Sequence, residues 1–332
     1  MTQAARADAK PRPAQRKKTP RRKAAAAAPA AGVAPALPDG STDAPFEERS
    51  FIAQDGLRLA FSDYGPRHGA RTPVLCLAGL TRNSRDFHEL ASFLSSIPGH
   101  ERRVIALDYR GRGRSDHDRN WENYSLACEL ADVLDLLTTL ALEHVAVVGT
   151  SRGGLIGMLM GAARPASLRA VVLNDIGPQI EAQGLLRIRQ YMRERPVARG
   201  WDEAADALRR MWEGLYPALS DAEWHALARK IYREENGRIV PDYDPNLLKP
   251  LDKLDLSVSP PPIWAQFASL AHVPLLVLRG QHSDILTAET VAEMHRRHPG
   301  LQSATVPDSG HAPLLVEPPV LRRIAQFIEA ST

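Results

Sequence analysis

One serine stands where several requirements for a reactive hydroxyl meet. Gly149-Thr150-Ser151-Arg152-Gly153 follows the apolar run Val145–Val148 and leads into a helical pattern. A serine on a tight strand-to-helix turn is held in strained backbone geometry with its hydroxyl exposed, and small residues two before and two after leave space for the turn. The start of a helix sets backbone N–H donors and a positive dipole end beside it. A hydroxyl is a poor nucleophile near neutral pH, so it needs a base, and the base needs an orienting group. Two later segments offer them. Asp284 lies on the loop after Pro274–Leu278, and His311, in Pro307-Asp308-Ser309-Gly310-His311-Ala312-Pro313, lies on the loop after Ala304–Val306. The order is Ser…Asp…His.

The elements that must hold these side chains read as alternating strands and helices. Short apolar runs occur at Pro73–Leu77, Val104–Leu107, Val145–Val148, Ala170–Leu173, Pro274–Leu278 and Ala304–Val306. Runs apolar on both faces are what buried parallel strands look like. Leu57–Tyr64 alternates after the Asp55-Gly56 turn, which predicts a hairpin. Helical patterns fall between the strands, at Asp86–Leu94, Ser125–Leu140, Leu155–Ala163, Ala288–His298 and Pro319–Ala330. In the second of these, apolar residues at 126, 130, 133, 134 and 137 form one stripe. The expected fold class is α/β, with a mostly parallel central sheet and helices on both faces. Residues 180–265 break the rhythm and read as helices. They hold Trp201, Trp212, Trp224 and Trp264 together with Tyr191, Tyr216 and Tyr232. Such an aromatic-rich insertion is expected to be a lid, most of its rings filling its own core and one or two lining a cavity.

The body, nearly all of residues 50–330, resembles the α/β-hydrolase fold superfamily, in particular bacterial lid-containing carboxylesterases. Four segments carry the resemblance: the G-x-S-x-G turn, Asp108-Tyr109-Arg110-Gly111-Arg112-Gly113-Arg114-Ser115, the Gly280-Gln281-His282-Ser283-Asp284 loop and Gly310-His311-Ala312. The resemblance implies Ser151 as nucleophile, Asp284 as acid and His311 as general base. It also implies an oxyanion hole after an early core strand, formed by the backbone N–H groups of Leu80 and Arg152. Ala78-Gly79-Leu80 stands where the family commonly has His-Gly-x, a change that leaves backbone donation intact. Asp175, after Ala170–Leu173, occupies the other position where this fold can carry its acid. Asp284 is preferred for its loop position and the Ser283-Asp284 pair.

The expected activity is that of a cofactor-independent serine hydrolase cleaving small-molecule or polymeric carboxylic esters through an acyl-enzyme. A lactonase or carbon–carbon bond hydrolase on the same triad, and a ligand-binding receptor of the same fold, are the alternatives. The Arg152 side chain reads equally as a contact for a substrate carboxylate or as an ion-paired arginine. Asp108 and its arginines read as a structural loop. His88, His282, His295 and His298 fall into no zinc-binding spacing and read as structural or solvated. No Gly-rich stretch has the phosphate-cradling pattern, so no nucleotide or other cofactor is expected.

Of the 332 residues, 44% are hydrophobic, ample for a core. The net charge of +3 conceals an asymmetry, because residues 1–24 carry nine Lys/Arg against Asp8, while the rest carries 33 Lys/Arg against 38 Asp/Glu. Residues 1–45 lack aromatics and read as a disordered basic Ala/Pro-rich tail. The hydrolase core is then expected over 46–179 and 266–332, with the lid between. The tail reads as a solubilising appendage, with weak polyanion contact through residues 1–24 as the other role. Its Ala24–Ala31 stretch, broken by Pro29, is a poor signal core, and no apolar run is long enough to span a bilayer. A cytoplasmic location is therefore expected. Cys76 and Cys128 cannot build a disulfide framework and read as free thiols in apolar segments.

Overall fold

The computed structural model of the chain describes residues 1–2 and 37–332. Its strands, in chain order, are β1 (Phe46–Ile52), β2 (Arg58–Tyr64), β3 (Val74–Leu77), β4 (Val104–Leu107), β5 (Val145–Thr150), β6 (Leu168–Asn174), β7 (Tyr232–Glu235), β8 (Arg238–Pro241), β9 (Leu275–Gly280) and β10 (Gln302–Val306). Its helices are α1 (His88–Ser96), α2 (Leu126–Thr139), α3 (Arg152–Ala163), α4 (Ala182–Glu194), α5 (Trp201–Trp212), α6 (Asp221–Ile231), α7 (Leu248–Asp252), α8 (Trp264–Ala268), α9 (Ala288–Arg297) and α10 (Pro318–Ser331).

Eight strands form one sheet in the order β1-β2-β4-β3-β5-β6-β9-β10. The β1–β2 hairpin turns at Asp55-Gly56, and β2 runs antiparallel to both β1 and β4. From β4 to β10 every pairing is parallel. The period-two alternation of a strand sorts its side chains into two cores. Leu75, Leu77, Val145, Val147, Val171, Leu173, Leu275 and Val277 enter the cluster that includes residues of α2 and α3. Their neighbours Val74, Cys76, Ala146, Val148, Ala170, Val172, Leu276 and Leu278 enter the cluster that includes residues of α1 and α10. A fully buried Val or Leu contributes about 1.5–3 kcal/mol, so a strand apolar on both faces is stable only between two helical layers. Cys76 and Cys128 are free, and burial pushes both thiols up, Cys128 to about 11.

The strand order changes direction at β3. Chain connections place β4 on one side of it and β5 on the other. In open α/β sheets a ligand crevice forms at such a switch, outside the carboxyl ends of the strands. The residues after β3 and β5, Ala78-Gly79-Leu80 and Ser151, meet there.

Between β6 and β9 the chain makes a long excursion, α4 to α8, that covers the expected insertion. It is not all helical. Besides α4–α8 it contains an antiparallel hairpin of β7 and β8 joined by Asn236-Gly237, both at positive φ (50° and 69°). A two-residue turn with both residues left-handed is the turn whose twist matches a hairpin, and Asn-Gly favours it. The insertion has its own small core, with Trp224, Tyr216, Leu227 and Ile239 buried together.

The body begins before Phe46. Leu37 packs on the second core, Asp39 pairs with Arg322 of α10, and the Ser41 N–H donates to Ser96 Oγ at 2.7 Å. The expectation of a basic disordered tail otherwise falls on residues 3–36, outside the described residues. Among the described residues no helix is long and apolar enough to cross a membrane.

At the far end of α10, Glu329 gathers Arg71, His100 and Arg102. Burial alone would raise its carboxyl, but hydrogen bonds from Arg102, Arg71 and His100 outweigh it and hold the pKa at about 2, against an ordinary 4.5. A carboxylate depressed on folding stabilises fully above its ordinary value and loses that contribution as pH falls through the folded value. Glu329→Gln is expected to cost on the order of 1 kcal/mol at pH 7. Urea unfolding of both proteins should show the difference shrinking as pH falls from 4.5 toward 2. A difference that stays constant over that range would contradict the assignment.

Candidate active site

Ser151 occupies the turn between β5 and α3 with φ 50° and ψ −113°. A non-glycine residue there is strained, and surrounding structure must hold it. Here the holding is steric. A Cβ on Gly149 would lie 2.5 Å from Gly153 C and O, and one on Gly153 would lie 2.0 Å from Leu77 O. The two glycines let β5 double back onto α3 and α3 press against β3. The Ser151 N–H donates to Asn174 O at 3.0 Å, and the Asn174 side chain ties Thr150 Oγ1 to the carbonyl of Pro313 on the histidine loop.

Ser151 Oγ and His311 Nε2 are 2.8 Å apart. On the other side of the ring, His311 Nδ1 is 2.8 Å from Asp175 Oδ2. A carboxylate can only accept, so Nδ1 carries the proton and Nε2 presents its lone pair to the hydroxyl. Asp175 is fully buried at φ 56°, directly after β6. Its Oδ1 accepts the Gly280 N–H at 2.7 Å, and its Oδ2 also accepts the Ser283 hydroxyl at 2.6 Å.

The expectation of Asp284 as the acid is therefore corrected. Asp284 does not reach the imidazole. Its two oxygens accept from Arg187 of α4, at 2.6 and 2.9 Å. Burial acts to raise the Asp284 carboxyl, but the Arg187 hydrogen bonds and charge outweigh it and hold it low. The physical reason lies in the loop after β9. Ser283 turns its hydroxyl inward to Asp175, and the next side chain faces the insertion. Sequence reasoning considered Asp175 and set it second, and it missed Ser283 as the group that orients it.

Gly79 runs beside the nucleophile, since a Cβ on it would be 3.8 Å from Ser151 Cβ. The Leu80 N–H has no backbone acceptor among the described residues. Arg152 is the first residue of α3, and its N–H is among the donors that a helix start leaves free. The Arg152 side chain is ion-paired, to Glu129 at 2.5 Å. Asp108 is buried in its loop, accepting from the N–H groups of Ser84 and Arg114. His298 is buried against the carbonyls of Leu270 and Val273, His88 lies by Tyr64, and His295 by Ser303.

Ser151 and His311 open into a cavity of about 410 Å³ between the sheet and the insertion. Its walls include Leu80, Thr81 and Arg82 from the body and Arg187, Tyr191, Trp212 and Tyr216 from the insertion. The charges on the wall are largely matched, Arg82 with Asp86, Arg187 with Asp284 and Lys230 with Glu89. The Tyr216 hydroxyl donates to Ala312 O at 2.8 Å, joining the insertion to the histidine loop. Among the described residues no cluster of three or more His, Cys, Asp or Glu side chains could hold a metal ion.

Residues 72–318 match the model of the alpha/beta hydrolase fold family. The chain belongs to that family and is a hydrolase of its fold. It is similar to the 3-hydroxybutyrate-oligomer hydrolase of Cupriavidus necator, with 33% identity over 83% of this chain and 94% of that protein. It is similar as well to the 2-(acetamidomethylene)succinate hydrolase of Mesorhizobium japonicum, with 28% identity over 79% of this chain and 90% of the other. Among solved structures, an alpha/beta hydrolase from Novosphingobium aromaticivorans superposes with a TM-score of 0.79 at 40% identity, covering 86% of this chain and 99% of that one.

Asp175→Asn is expected to slow phosphonylation of Ser151 by a fluorophosphonate probe about 10⁴-fold, because the amide favours the wrong imidazole tautomer. Asp284→Asn should slow it less than tenfold. The two rates, measured by quench and mass spectrometry, would reverse in order if Asp284 were the acid after all. Gly153→Ala is expected to lower the unfolding free energy by about 1–3 kcal/mol, the usual cost of forcing a methyl into a packed site. Urea titration checks it, and wild-type stability would contradict the close approach to Leu77.

Proposed function

We propose that this chain is a serine hydrolase of carboxylic esters that works through an acyl-enzyme on Ser151, without a cofactor. The observation that carries the proposal is the unbroken hydrogen-bonded line Ser151–His311–Asp175, at 2.8 Å on both sides of the ring, opening into a cavity. In this reading His311 Nε2 takes the Ser151 proton as Oγ attacks the ester carbonyl. The carbonyl oxygen becomes an oxyanion received by the N–H groups of Leu80 and Arg152. Asp175 stabilises the imidazolium and keeps it aligned. The tetrahedral intermediate collapses, the C–O bond breaks, and His311 returns the proton to the leaving alcohol. Water then enters, gives its proton to His311, and the same steps release the acid and restore Ser151.

Residues 180–265 serve as the lid in this mechanism. Tyr191, Trp212 and Tyr216 wall the cavity on that side, and a site shielded from water strengthens the hydrogen bonds to the oxyanion. The substrate class favoured is a short ester with polar substituents, including small oligoesters of hydroxy acids. Two observations support that class: a cavity wall that carries aromatic rings together with the hydroxyls of Thr81 and Tyr191, 2.8 Å apart, and the similarity to a 3-hydroxybutyrate-oligomer hydrolase.

The test is a panel of p-nitrophenyl esters of graded acyl length, 3-hydroxybutyrate dimers and trimers, lactones and a meta-cleavage dienone. Wild type should hydrolyse the short esters and the oligomers. Ser151→Ala should lose about 10⁴-fold or more in kcat, and a chelator should leave the rate unchanged. Cleavage of the dienone with no ester turnover would overturn the reaction class. Undiminished activity in Ser151→Ala would overturn the nucleophile.

A further inference from the structure

Three charged side chains that take no part in the proton relay form a buried bridge between the two ends of the oxyanion hole. Arg112, in the loop after β4, has no exposed surface, and neither has Glu129 of α2. Arg112 Nε donates to the carbonyl of Leu80 at 2.8 Å, and its Nη1 donates to Arg110 O at 2.6 Å. The same Nη1 lies 2.8 Å from Glu129 Oε1. Glu129 Oε2 accepts from Arg152 Nε at 2.5 Å. Arg152 Nη2 reaches the carbonyl of Tyr124 at 3.3 Å. The chain of contacts thus begins on the backbone of Leu80 and ends on the residue that follows the nucleophile.

A buried Arg–Glu–Arg chain gains little stability over apolar side chains of the same volume, because desolvation offsets most of the attraction. Its value lies in fixing geometry. Leu80 sits on an irregular loop after β3, with Arg152 on the far side of the nucleophile at the head of α3. The pairing of β3 with β5 brings Leu77 opposite Gly149, but Leu80 lies three residues beyond that register, outside regular secondary structure. An oxyanion hole works only when its donors are already aimed at the position that the oxygen will occupy.

We propose that Arg112 and Glu129 are positioning residues for the oxyanion hole, which with the Arg152 guanidinium lock the backbones of Leu80 and Arg152 at the spacing that receives the oxyanion. This rests on the reading of Ser151 as the nucleophile of an acyl transfer. The Arg152 side chain is then a strut and not a substrate contact, while its backbone N–H is the donor. The bridge acts on the transition state and not on the ground state, since no oxyanion exists until the carbonyl is attacked.

The experiment uses the full-length protein and two variants, Glu129→Gln and Arg152→Met. The second keeps the backbone N–H and removes a guanidinium whose side chain is partly exposed, so it remains informative if Glu129→Gln fails to fold. Active sites are counted with a fluorophosphonate, and p-nitrophenyl butyrate gives kcat and KM per active site. Both variants are expected to lose about 10- to 100-fold in kcat, short of the roughly 10²–10³-fold that outright removal of a donor costs. KM should stay within twofold. Affinity for a trifluoromethyl ketone, which forms the oxyanion on Ser151, should fall in step with kcat/KM. Affinity for a non-reactive ether analogue should not change. A folded Arg152→Met enzyme with wild-type kcat would overturn the inference, as would equal losses of ketone and ether binding. A wild type that neither turns over esters nor labels at Ser151 is a different outcome. It would fell the proposed function itself.

Discussion

The site depends on one steric constraint: a strand must become a helix within a single residue, Ser151. Ser151 adopts φ 50° because β5 and α3 approach too closely for anything gentler. The approach exists because Gly149 and Gly153 carry no side chains to prevent it. The strained residue is clamped from below by Asn174, whose carbonyl accepts its N–H, and by the two cores on either face of the sheet. The strain costs of order 1–3 kcal/mol. The apolar strands on both sides, each able to contribute several times that amount, hold it in place. The same turn that exposes the hydroxyl also leaves the first N–H groups of α3 free, so both arise from one conformational decision.

The second carboxylate shows how much a single side-chain direction decides. Asp175 and Asp284 both follow apolar parallel strands, and those strands, β6 and β9, are neighbours in the sheet. Strand position cannot separate them. What separates them is their local partners. Asp175 is enclosed by the N–H of Gly280, the hydroxyl of Ser283 and the imidazole, whereas Asp284 faces an arginine thirteen residues into the insertion's side of the chain after Asn174. A buried carboxylate with three donors is held more rigidly than one that meets a flexible guanidinium. Rigidity is what the imidazole needs from its partner.

Most of the fold and half of the site could be read from residue types. The parallel strands were legible because burial on both faces leaves continuous apolar runs, as in Val104–Leu107, whose bounds match the observed strand. Ser151 and His311 were legible because their chemistry demands distinctive neighbours. Which aspartate meets the imidazole was not, because it depends on which way the loop after β9 turns, a tertiary matter that no local pattern records. The hairpin of β7 and β8 carries its signal in Asn236-Gly237, but the helical patterns on either side dominate the reading of residues 180–265. An ion-paired Arg152 was one of two readings open to the sequence, but its partner Glu129 was not legible, because the two residues lie on different helices and meet only once α2 and α3 pack. The attachment of residues 37–41 to the body was hidden for a related reason: they are held by contacts with α1 and α10, not by any pattern of their own.

The hydrogen bond from the Tyr216 hydroxyl to the carbonyl of Ala312 has a mechanical consequence. It fastens the roof of the chamber to the residue next to His311. Were the roof to swing upward as one piece, the bond would break and the imidazole would lose a lateral brace at the moment a guest arrives. Lifting of the roof and alignment of the imidazole are thereby mechanically linked through one hydroxyl.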